Sequence, residues 1–411
     1  MSRVQGSFQE KARARVEVSG LRSWVARELE NLVLSFAMIR EGEIAIPKSS
    51  ELSTYLEEAV LSWMEPEKVV AQELMFWQVA LHIHTYILKD DVQTDDACGD
   101  DEVAGFSMWT LPSKNFRGIW ESLILEQDIK NDLVRYCLAA LVFSKMDVNT
   151  NLVSCNRLIL LHGPPGTGKT SLCKAMSQKL SIQLQDEYAH ALLFEVHTQG
   201  LFSKFFSESA KLVGKTFSRI QSCAADQTTL VFVLIDEVES LTSSREAALS
   251  GSEPSDAVRV VNAVLTQVDA LRRFPNVFMM TTSNITGAID TAFVDRADIK
   301  QFIGPPSKLA RRSILSGALA ELARAQIIDD FFPEKGTKEL DRLAEATNGF
   351  SGRLLRKLPF LTFSKFASAY DKRPIPSIQF LSEMAGVAET ERTVRGELAS
   401  VEQKLRDSRG C

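Results

Sequence analysis

A glycine-rich octapeptide, Gly163–Thr170 (GPPGTGKT), constrains the fold of this 411-residue chain more than any other feature. It matches the pattern GxxxxGK[ST], and it lies between an apolar run at 157–161 and a segment with helical spacing at 171–180. A strand, such a loop and a helix in this order form a phosphate-binding loop, in which backbone N–H groups and the helix N-terminus surround a phosphate. A chance glycine-rich turn is the alternative, and the matching flanks argue against it.

The sequence of this loop also predicts which ligands it binds. Lys169 would bridge the outer phosphates of a nucleotide, and the hydroxyl of Thr170 would bind Mg²⁺. We therefore expect ATP and Mg²⁺ as cofactors. The predicted nucleotide-binding residues of the loop are Gly163, Pro164, Pro165, Gly166, Thr167, Gly168, Lys169, Thr170 and Ser171.

Two adjacent acids, Asp236 and Glu237, follow the apolar run Leu230–Ile235. This pattern predicts a buried parallel strand whose carboxyl end faces the ligand. Asp236 would hold the magnesium ion through a water, opposite Thr170. Glu237 would activate another water for attack on the γ-phosphate as a general base. The second acid favours a hydrolase over a small-molecule kinase, which needs no activated water. Two solvated acids at a strand end are the alternative.

Three further polar residues are candidates for the same site. Asn284 ends the next apolar run and could orient the attacking water or contact the γ-phosphate, although Ser-Asn also begins turns. Arg296 precedes the last strand candidate and could reach the γ-phosphate of a neighbouring subunit, which implies a ring; a surface ion pair with Asp295 or Asp298 is the alternative. Arg353 begins a helix and could fold over the phosphates, or it could be a solvated arginine at a capped helix.

The order of the elements predicts the fold class. Short apolar runs alternate with helical segments at Leu158–Leu161, Leu193–Val196, Leu230–Ile235, Val277–Thr282 and Ile299–Ile303. This alternation predicts an α/β fold with a parallel five-stranded sheet and helices on both faces. We predict a small α+β N-terminal domain at 1–89, an acidic linker at 90–105, a large ATPase subdomain at 106–306 and a helical lid subdomain at 307–411. The linker is rich in Asp and cannot bury enough surface to order itself, and its acids lack calcium-loop spacing.

Composition excludes several functions. Lys and Arg number 47 against 53 Asp and Glu, a net charge of −6 that argues against direct nucleic-acid binding. Apolar runs are too short for a membrane span or a secretory signal, so we expect neither. The six cysteines are scattered, and His82 and His84 share a strand face without a third ligand, so we expect no zinc site.

Taken together, the motifs resemble those of AAA+ ATPases. Asp236–Leu241, Glu253–Gln267 and Ser351–Pro359 are similar to the pachytene checkpoint protein 2 / thyroid-receptor-interacting family of HORMA-domain remodellers. The resemblance implies an AAA+ P-loop module with a helical lid, assembled as a homohexamer. It also implies that ATP hydrolysis converts HORMA-domain proteins from a closed to an open conformation, with a HORMA-like adaptor, at meiotic chromosomes in the nucleus and at kinetochores or in the cytoplasm in mitosis.

The block Gly200–Ser209 resembles the first pore loop of AAA+ unfoldases. The resemblance assigns substrate gripping to Lys204, Phe205 and Phe206. Phe205 would be the pore aromatic, where related remodellers often have Trp, and Ser244–Ser255 would be a second pore loop. Phe293 stands where many AAA+ proteins have a second arginine. By periodicity alone, the phenylalanines at 202–206 instead predict an amphipathic helix packed on the core.

Two other functions stay open at this point. The first is another AAA+ activity such as microtubule severing or clamp loading, which the acidic net charge disfavours because DNA and acidic tubulin tails favour a basic face. The second is a nucleotide-gated scaffold without productive hydrolysis. It is disfavoured because every position that hydrolysis needs is filled.

Overall fold

The structure is a computed structural model. It describes residues 12–19, 22–36, 38–40, 42–47, 50, 52, 59–63, 73–75, 79–90, 106–126, 129–146, 148–149, 152–198, 206–241, 256–284, 291–329, 337–366 and 374–409. Within these ranges, no helix is both long and apolar enough to cross a membrane.

Among the described residues before position 90 are several strands and one long helix. The elements are β1 (Ala12–Ser19), α1 (Arg22–Leu34), β2 (Met38–Arg40), β3 (Gly42–Glu43), β4 (Ala59–Trp63), β5 (Glu73–Met75) and β6 (Val79–Tyr86). Four of the strands form a sheet in the order β3-β4-β1-β6, with β1 parallel to β6 and antiparallel to β4. Val25, Leu29 and Val33 form the buried stripe of α1, as helical spacing requires.

Helices alternate with strands through residues 106–302. The elements are β7 (Phe106–Leu111), α2 (Ile119–Ser122), α3 (Ile129–Lys145), β8 (Leu158–His162), α4 (Lys169–Gln183), β9 (His190–Val196), α5 (Phe206–Ala224), β10 (Thr229–Ile235), α6 (Asp256–Leu271), β11 (Val277–Ser283), α7 (Thr291–Arg296) and β12 (Ile299–Phe302). The strand order is β12-β8-β11-β10-β9-β7. The predicted α/β class is thus confirmed.

The predicted strand count of five is wrong, because β7 adds a sixth strand to the sheet. It pairs antiparallel with β9 at the edge, whereas the five predicted strands are mutually parallel. Ser107 and Thr110 interrupt the apolar residues of β7. An edge strand that is only partly buried does not need the continuous apolar run that marks a central parallel strand.

Two cores cover the two faces of the sheet, and the side chains of β10 alternate between them. Val231, Val233 and Ile235 pack with α5 and α6, and Leu230, Phe232 and Leu234 pack with α3 and α4. This alternation follows from the two-residue period of a strand. Phe293 of α7 is 1% exposed within the first core, so this side chain fills the interior.

The last part of the chain is helical, as predicted. Its helices are α8 (Lys308–Arg324), α9 (Thr337–Ala346), α10 (Gly352–Phe366) and α11 (Ser377–Arg409). They bury a separate core that includes Leu315, Leu319, Leu340, Leu355, Leu358 and Phe380. The N-terminus of α10 reaches the glycine-rich loop, where the backbone N–H of Arg353 donates to the Gly166 carbonyl at 3.1 Å. This contact places the C-terminal helices directly beside the glycine-rich loop.

Candidate active site

The glycine-rich loop between β8 and α4 has a backbone that only glycine accommodates readily. Gly163 has φ 143° and Gly168 has φ 101°, values that L-residues rarely adopt. Gly163 also lies so close to β12 that an added Cβ would be 2.2 Å from the Ile303 carbonyl oxygen. Gly168 directly precedes α4 and has no side chain to cap it, so the N-terminal N–H groups of α4 are available to an anion.

Lys169 lies at the centre of the loop. Its ammonium is buried and donates to the carbonyl oxygens of Gly163 and Pro164, each at 2.8 Å. These bonds hold the side chain folded back over the loop. A bound phosphate would replace the two carbonyl oxygens as the hydrogen-bond partner of the ammonium.

The charges around Lys169 have both signs. Burial lowers the pKa of Lys169, and nearby Arg353 lowers it further, whereas the carboxylates of Glu239, Asp236 and Glu237 raise it. Two cations and three acids thus meet at one edge of the sheet. This combination fits an anionic phosphate chain bound together with a divalent cation.

Asp236 follows β10 and is held by two hydroxyls. Thr170 Oγ1 lies 2.8 Å and 3.1 Å from its two carboxylate oxygens, and Thr282 Oγ1 donates to Oδ1. Carboxylate and hydroxyl oxygens are hard ligands of the kind that Mg²⁺ prefers. The two predicted magnesium ligands, Thr170 and Asp236, are therefore adjacent and chemically suited to the ion.

Glu237 has an unusual backbone conformation for a residue with a side chain, with φ 56°. Its backbone N–H donates to Thr282 Oγ1 at 3.1 Å. Asn284 Nδ2 lies 3.3 Å from Glu237 Oε1, and the backbone N–H of Asn284 donates to Glu239 Oε1 at 3.0 Å. The fold thus brings the predicted base and the predicted water-orienting amide into contact, because β10 and β11 are adjacent parallel strands.

A cavity of about 440 Å³ lies beside the loop. The glycine-rich loop and the lid arginines Arg353 and Arg356 line part of it. Its apolar lining comes from Leu123, Ile124, Leu125, Ile129, Phe302, Ile303, Pro305, Pro306 and Ile314. A volume of this size with apolar walls beside a phosphate site suits the base and sugar of a nucleotide. Arg356 also donates to the carbonyl of Ser122, so the lid and the large subdomain meet across the cavity.

Arg296 makes an ion pair, but with a partner that the sequence did not suggest. Its Nε and Nη2 donate to the two carboxylate oxygens of Asp269 at 2.9 Å and 2.8 Å, and Nη1 donates to the Ala292 carbonyl. Arg296 lowers the pKa of Asp269. Asp298, a predicted alternative partner, accepts hydrogen bonds from Tyr136 and from the backbone N–H groups of Asn156 and Arg157.

The predicted pore residues fall mostly outside the described residues. This applies to Lys204, Phe205 and the segment Ser244–Ser255, and their roles stay predictions. Phe206 is the first residue of α5. The chain approaches this region through Thr198, whose hydroxyl donates to the Asp236 carbonyl at 3.2 Å and accepts from Ser240 Oγ at 3.0 Å. The chain just after β9 is therefore bonded to the acidic end of β10.

Comparison with known proteins identifies the family. Residues 159–305 match the ATPase family associated with various cellular activities (AAA), and residues 332–392 match the TRIP13-like AAA+ ATPase lid C-terminal domain. The pachytene checkpoint protein 2 homolog of Arabidopsis thaliana is 45% identical over 405 residues, which cover 91% of this chain and 85% of that protein. The chain belongs to the pachytene checkpoint protein 2 (PCH2/TRIP13) family of AAA+ ATPases.

A human and a nematode relative support this family assignment. The human homolog is 48% identical over 310 residues, 71% of each chain. The structure of C. elegans PCH-2 matches with a TM-score of 0.75 and 34% identity, covering 93% of this chain and 100% of that one. A chain of the E. coli MS115-1 HORMA:CdnC:Trip13 complex has a TM-score of 0.56 at 17% identity, covering 69% and 94%, and it shares the fold. This protein is thus a nucleotide-binding AAA+ ATPase.

Sequence reasoning missed several residues of the site of this PCH2-family ATPase. Thr282 and Glu239 contact the predicted acids and amide, and Asp269 pairs with Arg296, yet none of the three is a predicted site residue. Glu239 lies two residues after Glu237, within the block Asp236–Leu241, and this position could have suggested it. The apolar walls of the cavity carry no chemical signature, because separate chain segments form them only after folding.

Proposed function

We propose that this PCH2-family ATPase binds ATP with Mg²⁺ and uses hydrolysis to convert HORMA-domain proteins from a closed to an open conformation. The observation that carries the proposal is the meeting of Thr170, Asp236, Glu237 and Asn284 beside a nucleotide-sized cavity that the lid also lines. The HORMA:CdnC:Trip13 complex of E. coli supports the substrate class. A HORMA-like adaptor that delivers substrate to the N-terminal domain is part of the proposal.

The proposed chemistry assigns one task to each residue. The backbone of the glycine-rich loop, Lys169 and Arg353 bind the phosphates. Thr170 and Asp236 hold Mg²⁺, which neutralises charge on the outer phosphate oxygens when bound. Glu237 accepts a proton from the attacking water, and Asn284, which lies beside that carboxylate, orients the same water. The contact at 3.3 Å between Asn284 and Glu237 supports this division of roles.

The coupling of ATP hydrolysis to movement of the lid would begin at the two sides of the cavity. The lid contributes Arg353 and Arg356, and the large subdomain contributes the glycine-rich loop and the apolar walls. A nucleotide that contacts both sides stabilises one angle between the lid and the large subdomain. Its hydrolysis removes some of these contacts, so that angle is then less strongly favoured. Thr198 is bonded to the Asp236 carbonyl and to Ser240, and these two residues precede in sequence the segments that hold the predicted pore residues.

We further propose a homohexameric ring in which Arg296 acts on the ATP of the neighbouring subunit. The Arg296–Asp269 pair is partly exposed, and such pairs stabilise by only about 0–1 kcal/mol. A neighbouring γ-phosphate can therefore compete with Asp269 for the guanidinium.

Mixing two inactive variants tests this trans arrangement. Arg296→Ala and Glu237→Gln subunits should each hydrolyse ATP at least about 100-fold more slowly than wild type. In mixed rings, an intact Arg296 from one subunit would serve an intact Glu237 in the next. We expect phosphate release from the mixture to exceed the sum of the two separate variants. A mixture that equals this sum, although the subunits co-assemble, would contradict action in trans.

Substrate conversion tests the proposed function itself. A closed HORMA-domain protein is incubated with adaptor, ATP and wild-type enzyme, and its open form is measured by ion-exchange profile. We expect conversion by wild type and by Phe205→Trp, and loss of conversion in Phe205→Ala with ATP hydrolysis retained. If wild type hydrolyses ATP but converts no substrate, the ATPase assignment stands and the HORMA substrate class is wrong.

The proposed biological setting follows the family. We infer roles in the control of meiotic chromosome axes and in the spindle assembly checkpoint, with the protein in the nucleus at meiotic chromosomes and at kinetochores or in the cytoplasm in mitosis. The name of the relatives supports the meiotic and checkpoint roles. We also propose that the protein binds neither nucleic acid nor membranes directly. Co-sedimentation with duplex DNA or microtubules at low salt would instead favour clamp loading or severing.

A further inference from the structure

One buried hydroxyl, that of Thr282 in β11, contacts both acids of the active site. Thr282 Oγ1 donates to Asp236 Oδ1 and accepts from the backbone N–H of Glu237 at 3.1 Å. The residue is 1% exposed, so water cannot readily replace either bond. A hydroxyl has one proton and two lone pairs, so it can serve both partners at once.

The bond to Asp236 restricts the orientation of its carboxylate. Thr170 Oγ1 contacts both carboxylate oxygens from the side of the glycine-rich loop, and Thr282 contacts Oδ1 from β11. Two hydroxyls on different elements fix the plane of the carboxylate more tightly than either alone. Removing a group that hydrogen-bonds to a metal ligand typically lowers metal affinity or activity by about 10–100-fold.

The bond to Glu237 stabilises an unfavourable backbone conformation. A residue with a side chain at φ 56° lies in a sparsely populated region that costs of the order of 1–3 kcal/mol. Such a conformation persists where surrounding groups over-determine it. The Glu237 N–H lies beyond the end of β10 at Ile235, and Thr282 Oγ1 is its acceptor. The adjacent N–H of Val238 donates to the Thr282 carbonyl at 2.9 Å, so Thr282 holds two consecutive N–H groups of this turn.

We propose that Thr282 is a positioning residue whose hydroxyl orients Asp236 for Mg²⁺ and Glu237 for the attacking water at the same time. The inference rests on the proposed roles of these two acids. Loss of the hydroxyl frees both groups together, so it raises the Mg²⁺ concentration that nucleotide binding needs and also lowers turnover. A residue that merely filled the core would affect stability without changing the response to magnesium.

Matched threonine variants test the proposal. Thr282→Val removes the hydroxyl at nearly constant shape, and Thr282→Ser retains it. The control is Thr281→Val: Thr281 is also 1% exposed, and its Oγ1 donates to the Ile159 carbonyl at 3.3 Å, away from the acids. The readouts are fluorescent-nucleotide binding against Mg²⁺ concentration, the same binding in EDTA, phosphate release and thermal unfolding.

For Thr282→Val we expect an increase of about tenfold in the Mg²⁺ concentration for half-maximal binding and a loss of about 30-fold in kcat. Its binding of nucleotide in EDTA should stay within about twofold of wild type. Thr282→Ser should recover most of both losses, and Thr281→Val should show the magnesium response of wild type. If Thr282→Val does not fold, Thr282→Ala removes the hydroxyl without adding volume and is measured instead.

Several results would overturn the inference. These are a wild-type magnesium response and turnover in Thr282→Val, equal losses in Thr282→Ser and Thr282→Val, or the same altered magnesium response in Thr281→Val. Asp236→Asn and Glu237→Gln are measured alongside. If these two leave the magnesium response and turnover intact, the proposed roles of the acids are wrong. If they impair them while Thr282→Val does not, only the role of Thr282 is wrong.

Discussion

Replacing Glu237 with Gln is expected to lower kcat for ATP hydrolysis by at least about 100-fold while changing nucleotide affinity by less than about threefold. Gln has nearly the same shape and retains an oxygen that can accept from Asn284 Nδ2, now 3.3 Å from Glu237 Oε1. It cannot accept the proton of the attacking water at neutral pH. The variant should therefore bind ATP and accumulate the bound state. Phosphate release and fluorescent-nucleotide titration measure the two properties separately.

A matched control separates the loss of the base from a general effect of removing an acid. Glu321→Gln makes the same change on the lid surface, where Glu321 pairs with Arg324, and it should hydrolyse ATP at the wild-type rate. Turnover of Glu237→Gln close to wild type would show that another group activates the water.

The second large effect is expected for Gly163→Ala. The added Cβ would lie 2.2 Å from the Ile303 carbonyl oxygen, and the residue would have to keep φ near 143°. Overpacking against backbone and a forbidden conformation each cost about 1–3 kcal/mol. We expect the free energy of unfolding to fall by about 3 kcal/mol and Tm by roughly 10 °C. Nucleotide affinity should fall by more than about tenfold. Thermal unfolding and nucleotide titration measure both effects.

Gly317→Ala provides the comparison for this loop variant. Gly317 lies in α8, where an added Cβ would have no neighbour within 4 Å, and replacing a helical glycine by alanine stabilises by up to about 1 kcal/mol. Its nucleotide binding should not change. Wild-type Tm and nucleotide affinity in Gly163→Ala would contradict the close approach of the loop to Ile303.

Much of the candidate site could be predicted because its residues are neighbours in sequence or end adjacent parallel strands. The octapeptide Gly163–Thr170 alone supplies the glycines, the lysine and the threonine of a phosphate-binding loop. Asp236 and Asn284 follow strands whose carboxyl ends meet at one edge of the sheet, so their proximity follows from the alternation of strands and helices. The edge strand β7 could not be predicted in the same way, because it is only partly buried and its apolar residues are interrupted.

The sequence by itself determined that this chain is a nucleotide-binding α/β ATPase with a helical lid, because those properties reside in local motifs and local periodicity. Tertiary structure alone decided which distant groups support the motifs. Thr282 joins two acids that follow another strand, Asp269 pairs with Arg296 from another helix, and Phe293 fills the core. Each contact depends on how separate elements pack, since hydrogen bonds and burial between elements leave no fixed spacing in the chain.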